Sequence, residues 1–256
     1  MADLEIHQFP CLSDNYGVLI HDAAAGVTAS IDTPDAAAVR AALKATGWRL
    51  THILNTHHHG DHTGGNLEIK SETGCRIVGP RGEKDKIPGI DDAVGDGDSF
   101  KFGSFTVNVL ETPGHTRGHI SYHFPEANVA FVGDTLFALG CGRLFEAGAD
   151  VMWRSLQKIM ALPPETKLYC GHEYTLSNAK FALTIEPEND ALQRRAAEIE
   201  ATRARGQPTL PTTLETELAT NPFLRPSSPA IRKRLGMPDK PDWQVFGEIR
   251  SRKDNA

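Results

Sequence analysis

The segment Thr51-His52-Ile53-Leu54 reads as a short β-strand that runs straight into Thr56-His57-His58-His59-Gly60-Asp61-His62. There His57, His59, Asp61 and His62 place four potential metal ligands within six residues. Imidazole suits zinc and iron, and a carboxylate beside it suits a borderline-hard divalent ion. Four such groups ending a buried strand are costly to desolvate unless a cation meets them. A polar loop rich in histidine by chance would leave that cost unanswered. The pattern also recurs. Thr112-Pro113-Gly114-His115-Thr116-Arg117-Gly118-His119 follows the β-like run Phe105 to Leu110, Gly133-Asp134-Thr135 follows Val129 to Val132, and Gly171-His172-Glu173 follows Lys167 to Cys170. Ligand-rich loops just beyond strand ends are where α/β folds carry their chemistry, so the fold class expected is α/β.

The intervening sequence agrees. Val18-Leu19-Ile20, Arg76-Ile77-Val78 and Ile120 to Phe124 are further β-like runs. Asp35 to Thr46 is Ala-rich, with Val39 and Leu43 at i, i+4 spacing and Gly47 as a stop. Asp150 to Leu162 sets Val151, Leu156, Ile159 and Met160 on one face and ends at Pro163-Pro164. Beyond His172 the character changes. Helical periodicity runs through Tyr174 to Leu183, Asn189 to Arg205 and Leu214 to Ala219, and prolines cluster at 208, 211, 222, 226 and 229. The expected division is a catalytic α/β domain over 1–172 and a smaller, mainly α-helical domain over 173–256.

Bulk properties narrow the function. The start Met1-Ala2-Asp3-Leu4-Glu5 is acidic and lacks the features of a secretory leader, and no apolar run is long enough to span a bilayer. The four cysteines (Cys11, Cys75, Cys141, Cys170) lie far apart and form no C-x-x-C pair. A cytoplasmic chain with no membrane partner is expected. The net charge of -6 argues against nucleic-acid binding through bulk electrostatics. The charge is uneven, because Arg225 to Ala256 carries eight Lys/Arg against four Asp/Glu. That excess is either a solvated tail or a cradle for an anionic substrate.

In order, His-x-His-x-Asp-His, T-P-G-H-T-x-G-H, G-D-T and G-H-E-Y resemble the metallo-β-lactamase superfamily. The resemblance implies an αββα sandwich with two divalent metal ions at its edge. Carried over by residue, His57, His59 and His115 would bind one ion, Asp61, His62 and His172 the other, and Asp134 would bridge them. Zinc is the expected metal, with iron or manganese as alternatives. His58 is expected to point away from the ions and His119 to serve as a hydrogen-bonding structural residue. His7, His21, His52 and His123 have no motif support.

The likeness then narrows. Cys11-Leu12-Ser13-Asp14-Asn15-Tyr16, Gly140 to Glu146, Gly171 to Asn178, Asn221-Pro222-Phe223-Leu224-Arg225 and Arg250 to Asp254 are similar to segments of the glyoxalase II family. The family implies a monomeric hydrolase that cleaves S-D-lactoylglutathione to D-lactate and glutathione. Asp61 and Asp134 would orient the attacking water, and Arg143, Tyr174, Arg250 and Lys253 would contact substrate. Phe145 stands where some relatives have tyrosine, and Ala147 replaces the usual glycine after Phe-Glu. A thiol of pKa about 8.5 leaves without a strong general acid, and the sequence offers no obvious one. The rival readings are a β-lactamase, a persulfide dioxygenase, a broad-specificity thioesterase, a metal-dependent nuclease and a catalytically silent metal-binding module.

Overall fold

The computed structural model describes residues 3–256. The chain forms two compact units, one from the residues up to Glu111 with Thr116–Gly133, the other from Thr112–His115 with Asp134–Ala256.

The first unit contains, in chain order, β1 (Glu5–Cys11), β2 (Asn15–Asp22), β3 (Val27–Ile31), α1 (Ala36–Thr46), β4 (His52–Leu54), α2 (Gly60–Thr63), α3 (Asn66–Thr73), β5 (Arg76–Pro80), β6 (Asp92–Val94), β7 (Ser99–Phe102), β8 (Phe105–Glu111), β9 (Ile120–Phe124) and β10 (Val129–Gly133). Strands β1 to β6 form one sheet in chain order, antiparallel across β1, β2 and β3 and parallel from β3 to β6. The parallel part decides where the chemistry goes. Ile31 pairs with Leu54, and Leu54 with Val78. Strands β3, β4 and β5 therefore end at one edge, and Asp32, the 56–62 loop and the Arg81–Glu83 turn all leave from it.

Helix α1 starts where Asp35 accepts from the Ala38 N–H at 2.9 Å and stops at Gly47, whose φ of 73° suits glycine. Val39 and Ala42 of α1 and Ile69 of α3 pack with Leu19, Ile53 and Ile77 of the sheet. Full burial of each large apolar side chain contributes about 1.5–3 kcal/mol. Strands β7 to β10 form an antiparallel meander. Tyr122 on β9 joins the two sheets. Its hydroxyl donates to Asn55 O at 2.8 Å, the residue just ahead of the ligand loop. Burial pushes the Tyr122 pKa well up, so the phenol stays a donor.

The second unit adds β11 (Leu136–Phe137), β12 (Gly140–Cys141), α4 (Ala149–Met160), β13 (Lys167–Cys170), α5 (Thr175–Ile185), α6 (Asp190–Ala204), β14 (Thr212–Thr213), α7 (Leu214–Thr220), α8 (Pro229–Leu235) and α9 (Asp242–Asp254). Helices α5 and α6 enclose Leu139 with Ala179, Ala182, Leu192, Ala196 and Ile199. The β11–β12 hairpin is clamped from α7 and the residue after it. Glu217 accepts from the Leu139 N–H at 2.9 Å, and the Asn221 amide donates to Gly140 O at 3.0 Å. The basic tail is not a free solvated run. It carries α8 and α9, and α9 buries Val245, Phe246 and Ile249, with Phe246 6.0 Å from Trp153 and 6.1 Å from Phe223.

Candidate metal centre

The first unit supplies the ligand loop. Helix α2 begins after His59, so Asp61 and His62 fall in its first turn. His57 Nε2 lies 3.1 Å from His59 Nδ1, the His57 and His62 rings are 4.1 Å apart, and His62 Nε2 is 3.7 Å from Asp61 Oδ2. Asp32 supports this loop from the end of β3. Its Oδ1 accepts from Thr56 N and its Oδ2 from Thr56 Oγ1, each at 2.8 Å, while Oδ2 is also 2.8 Å from His62 Nδ1. A carboxylate on Nδ1 fixes the tautomer and leaves Nε2 to a cation. Asn15 donates to Asp61 Oδ2 at 3.2 Å. His58 turns instead to Glu83, and the His119 ring stacks on His57 at 4.9 Å. Gly133, with φ 47°, closes this part of the site, because a Cβ there would lie 2.6 Å from Thr56 Oγ1 and from His119 Nε2.

The second unit supplies His115, Asp134 and His172, all buried. One carboxylate oxygen, Asp134 Oδ2, is 3.4 Å from both His115 Nε2 and His172 Nε2. His115 Nδ1 is 3.0 Å from Arg143 O, which again leaves Nε2 for a ligand. The His172 ring stacks on Tyr174 at 4.7 Å and 4°, with Phe137 edge-on to both.

These separations test whether an ion fits. Two nitrogens bound tetrahedrally at about 2.0–2.1 Å stand roughly 3.3 Å apart. The 3.1 Å and 3.4 Å approaches above are of that size. Among the described residues, the groups placed to hold a metal ion are drawn wholly from His57, His59, Asp61, His62, His115, Asp134 and His172. His58 and His119 belong to none of these groups. Imidazole with carboxylate and no thiolate is a donor set for zinc, iron or manganese.

The four residues expected to contact substrate sit differently from one another. Arg143 is largely exposed, its Nε 4.0 Å from Asp254 Oδ1. Arg250 is 5% exposed. Its Nη1 donates to Cys141 O at 2.8 Å, its Nη2 lies 2.9 Å from Asp254 Oδ1, and its guanidinium sits over the Phe223 ring. Lys253 donates to Ser177 Oγ at 3.1 Å and lies over Phe181. Burial, then the Arg250 and Arg143 cations, lower the Lys253 pKa below the usual lysine value. Tyr174 and Lys253 line a cleft of about 840 Å³, together with Lys180, Phe181, Arg203 and Arg252. Arg143 and Arg250 do not line it. Phe145 is exposed, its ring 5.2 Å from that of His115.

Sequence reading missed Asp32, Glu83 and Asn15. Asp32 had a signal, since it ends a β-run as Asp134 does. Asn15 lay inside a quoted motif without an assigned role. Nothing in the pattern around Glu83 marks it.

Comparison with known proteins bears on both parts of the chain. Residues 30–172 match the family model of the metallo-β-lactamase superfamily, and residues 173–256 match that of the hydroxyacylglutathione hydrolase C-terminus. The hydroxyacylglutathione hydrolase of Rhizobium meliloti is 58% identical over 100% of both chains. That of Brucella anthropi is 60% identical over 98% of this chain and 96% of its own. Among solved structures, the BLEG-1 B3 metallo-β-lactamase has a TM-score of 0.67 at 22% identity, covering 86% of this chain and 100% of its own. The fold is thus the metallo-β-lactamase fold followed by a helical C-terminal region.

Proposed function

The chain belongs to the hydroxyacylglutathione hydrolase (glyoxalase II) family of the metallo-β-lactamase superfamily, and from that premise we infer that it hydrolyses S-D-lactoylglutathione to D-lactate and glutathione. The observation that carries the hydrolytic reading is Asp134 Oδ2, set 3.4 Å from each of two imidazoles as a bridging carboxylate would be. In this reading His57, His59 and His115 hold one ion, Asp61, His62 and His172 the other, and Asp134 touches both. Zinc is the proposed metal. Divalent ions, when bound, supply an acidified water and the positive charge that offsets charge developing on the thioester carbonyl oxygen. Asp32 and the Arg143 carbonyl keep His62 and His115 in the tautomer with Nε2 free, and Asp61 and Asp134 orient the water. The departing thiol, at pKa about 8.5, leaves as thiolate without an acid from the chain.

The tripeptide is anionic, and cations are at hand. Tyr174 and Lys253 line the cleft, and Arg143 is largely exposed. Asp254 Oδ1 lies 2.9 Å from Arg250 and 4.0 Å from Arg143. A substrate carboxylate taking the place of Asp254 would bring Arg250 into use. No helix among the described residues is long and apolar enough to cross a membrane. A cytoplasmic monomer that binds neither nucleic acid nor membrane completes the proposal.

The test is a spectrophotometric assay on S-D-lactoylglutathione with metal content measured on the same sample. Thioester cleavage with about two ions per chain is expected. One tightly bound ion, with no activity gained on adding more and with oxygen consumed on a persulfide, would replace this reading by a dioxygenase.

A further inference from the structure

The turn that follows β5 places a glutamate where the metal ligands need an anchor. Glu83 is 3% exposed. Its Oε2 accepts from the His58 N–H at 3.0 Å and lies 2.9 Å from His58 Nδ1, while its Oε1 accepts from the Gly118 N–H at 2.9 Å. A buried carboxylate is costly unless donors meet its lone pairs, and here a backbone N–H donates to each oxygen, with the His58 ring nitrogen close by. The approach leaves no room for another residue at Gly118. A Cβ there would lie 2.6 Å from Glu83 Cγ and 2.9 Å from Gly82 C.

We infer that Glu83 is a positioning residue: by accepting from the His58 peptide N–H, with the His58 ring nitrogen 2.9 Å from the same oxygen, it turns His57 and His59 together to the opposite side. The argument is one of chain geometry. Successive side chains of an extended segment point to opposite sides. His59 has φ −61° and ψ 148°, an extended conformation. Anchoring the middle residue of the three therefore sets the phase of its neighbours, whose facing nitrogens are 3.1 Å apart. Through Gly118 the same carboxylate also ties the ligand loop to the segment leading into His119, which stacks on His57. The inference rests on the reading of His57 and His59 as metal ligands.

The test is zinc affinity, measured by chelator competition on the full chain, for wild type, Glu83→Gln, His58→Ala and the double variant. A glutamine keeps the volume but offers one acceptor oxygen where the site needs two. Loss of a partner that orients a metal ligand costs about 10–100-fold in affinity. That loss is expected for Glu83→Gln, with circular dichroism and the KM for thioester unchanged. His58→Ala keeps the peptide hydrogen bond and should lose less, about 3–10-fold. The double variant should be no weaker than Glu83→Gln, because both act on one contact. Zinc affinity of Glu83→Gln within about twofold of wild type, whatever its melting temperature, would overturn the inference. If Glu83→Gln does not fold, unchanged affinity in His58→Ala overturns it and the smaller loss supports it. Wild-type protein that binds no zinc would instead sink the ligand reading beneath it.

Discussion

Asp134 serves two imidazoles with one carboxylate oxygen, and Asp32 serves His62 and Thr56 with both of its own. The two aspartates therefore differ in kind, and their variants should differ in degree. Asp134→Ala should lose bound metal and most of kcat while circular dichroism stays that of a folded chain. Its loss should exceed the ~10–100-fold expected of residues that only orient a ligand. Asp32→Asn should fall inside that range, because the Thr56 N–H can still be accepted by the amide oxygen. Metal analysis and kcat on the purified variants check both expectations, and equal losses would mean that Asp134 acts only by orienting its neighbours. The histidine-rich loop and the three other turns proposed to carry ligands stood out in sequence because chemistry-bearing residues stand directly after β-like runs. Glu83 was not legible, since its partners at 58 and 118 are distant in sequence and one is a backbone N–H of glycine.

At the scale of elements, local signals carried the expectations that held. Asp35 and Gly47 bracket α1 as a cap and a stop, and the helices expected at 189–205 and 214–219 stand as α6 and α7. Strands β1, β3, β6 and β7 and the two-residue strands β11, β12 and β14 were not seen. Short strands gain their stability from partners far along the chain, so no local pattern announces them. Helix α9 escaped notice because only Val245, Phe246 and Ile249 mark its buried face within a charged run. One link between such elements is open to measurement. Glu186, at the end of α5, is buried and accepts from Arg225 Nε at 2.8 Å, Ser228 Oγ at 2.6 Å and Asn189 Nδ2 at 3.0 Å. Burial alone would raise its pKa, but these donors outweigh it and the net shift is downward. A depressed folded pKa adds stability above the unfolded carboxylate pKa of about 4.3. That stability is lost as pH falls through the folded value. Glu186→Gln should therefore cost about 1.5–3 kcal/mol at neutral pH, and the gap to wild type should close in acid. Urea unfolding at the two pH values reads this directly, and a gap independent of pH would mean that packing, not the charge, holds the junction.

For the molecule as a whole, the informative quantity is the distribution of charge. The net charge of -6 hides eight Lys/Arg against four Asp/Glu between Arg225 and Ala256. Deleting that stretch is a poor test of substrate binding, because Val245, Phe246 and Ile249 are core residues. A point change at Lys253 is cleaner than one at Arg250, whose loss would also strip Cys141 O of its donor. Lys253 is proposed to hold the anionic tripeptide, far along the substrate from the carbonyl under attack. A contact of equal strength in ground and transition states acts on KM and leaves kcat alone. Hydrogen bonds to charged groups contribute about 1.5–3 kcal/mol, so Lys253→Gln should lower kcat/KM roughly 10–100-fold through KM. Wild-type KM should rise with ionic strength as the cationic cluster is screened. It should also rise with pH below the range of an ordinary lysine, because the lowered pKa makes Lys253 give up its charge early. Lys253→Arg should abolish that rise, since arginine keeps its charge throughout. A short thioester lacking the glutathione peptide should be hydrolysed poorly and at the same rate by wild type and Lys253→Gln. Equal losses on both thioesters would make the residue structural. No loss on S-D-lactoylglutathione would remove Lys253 from substrate recognition and leave the other proposed contacts and the loops proposed to hold metal to account for the activity.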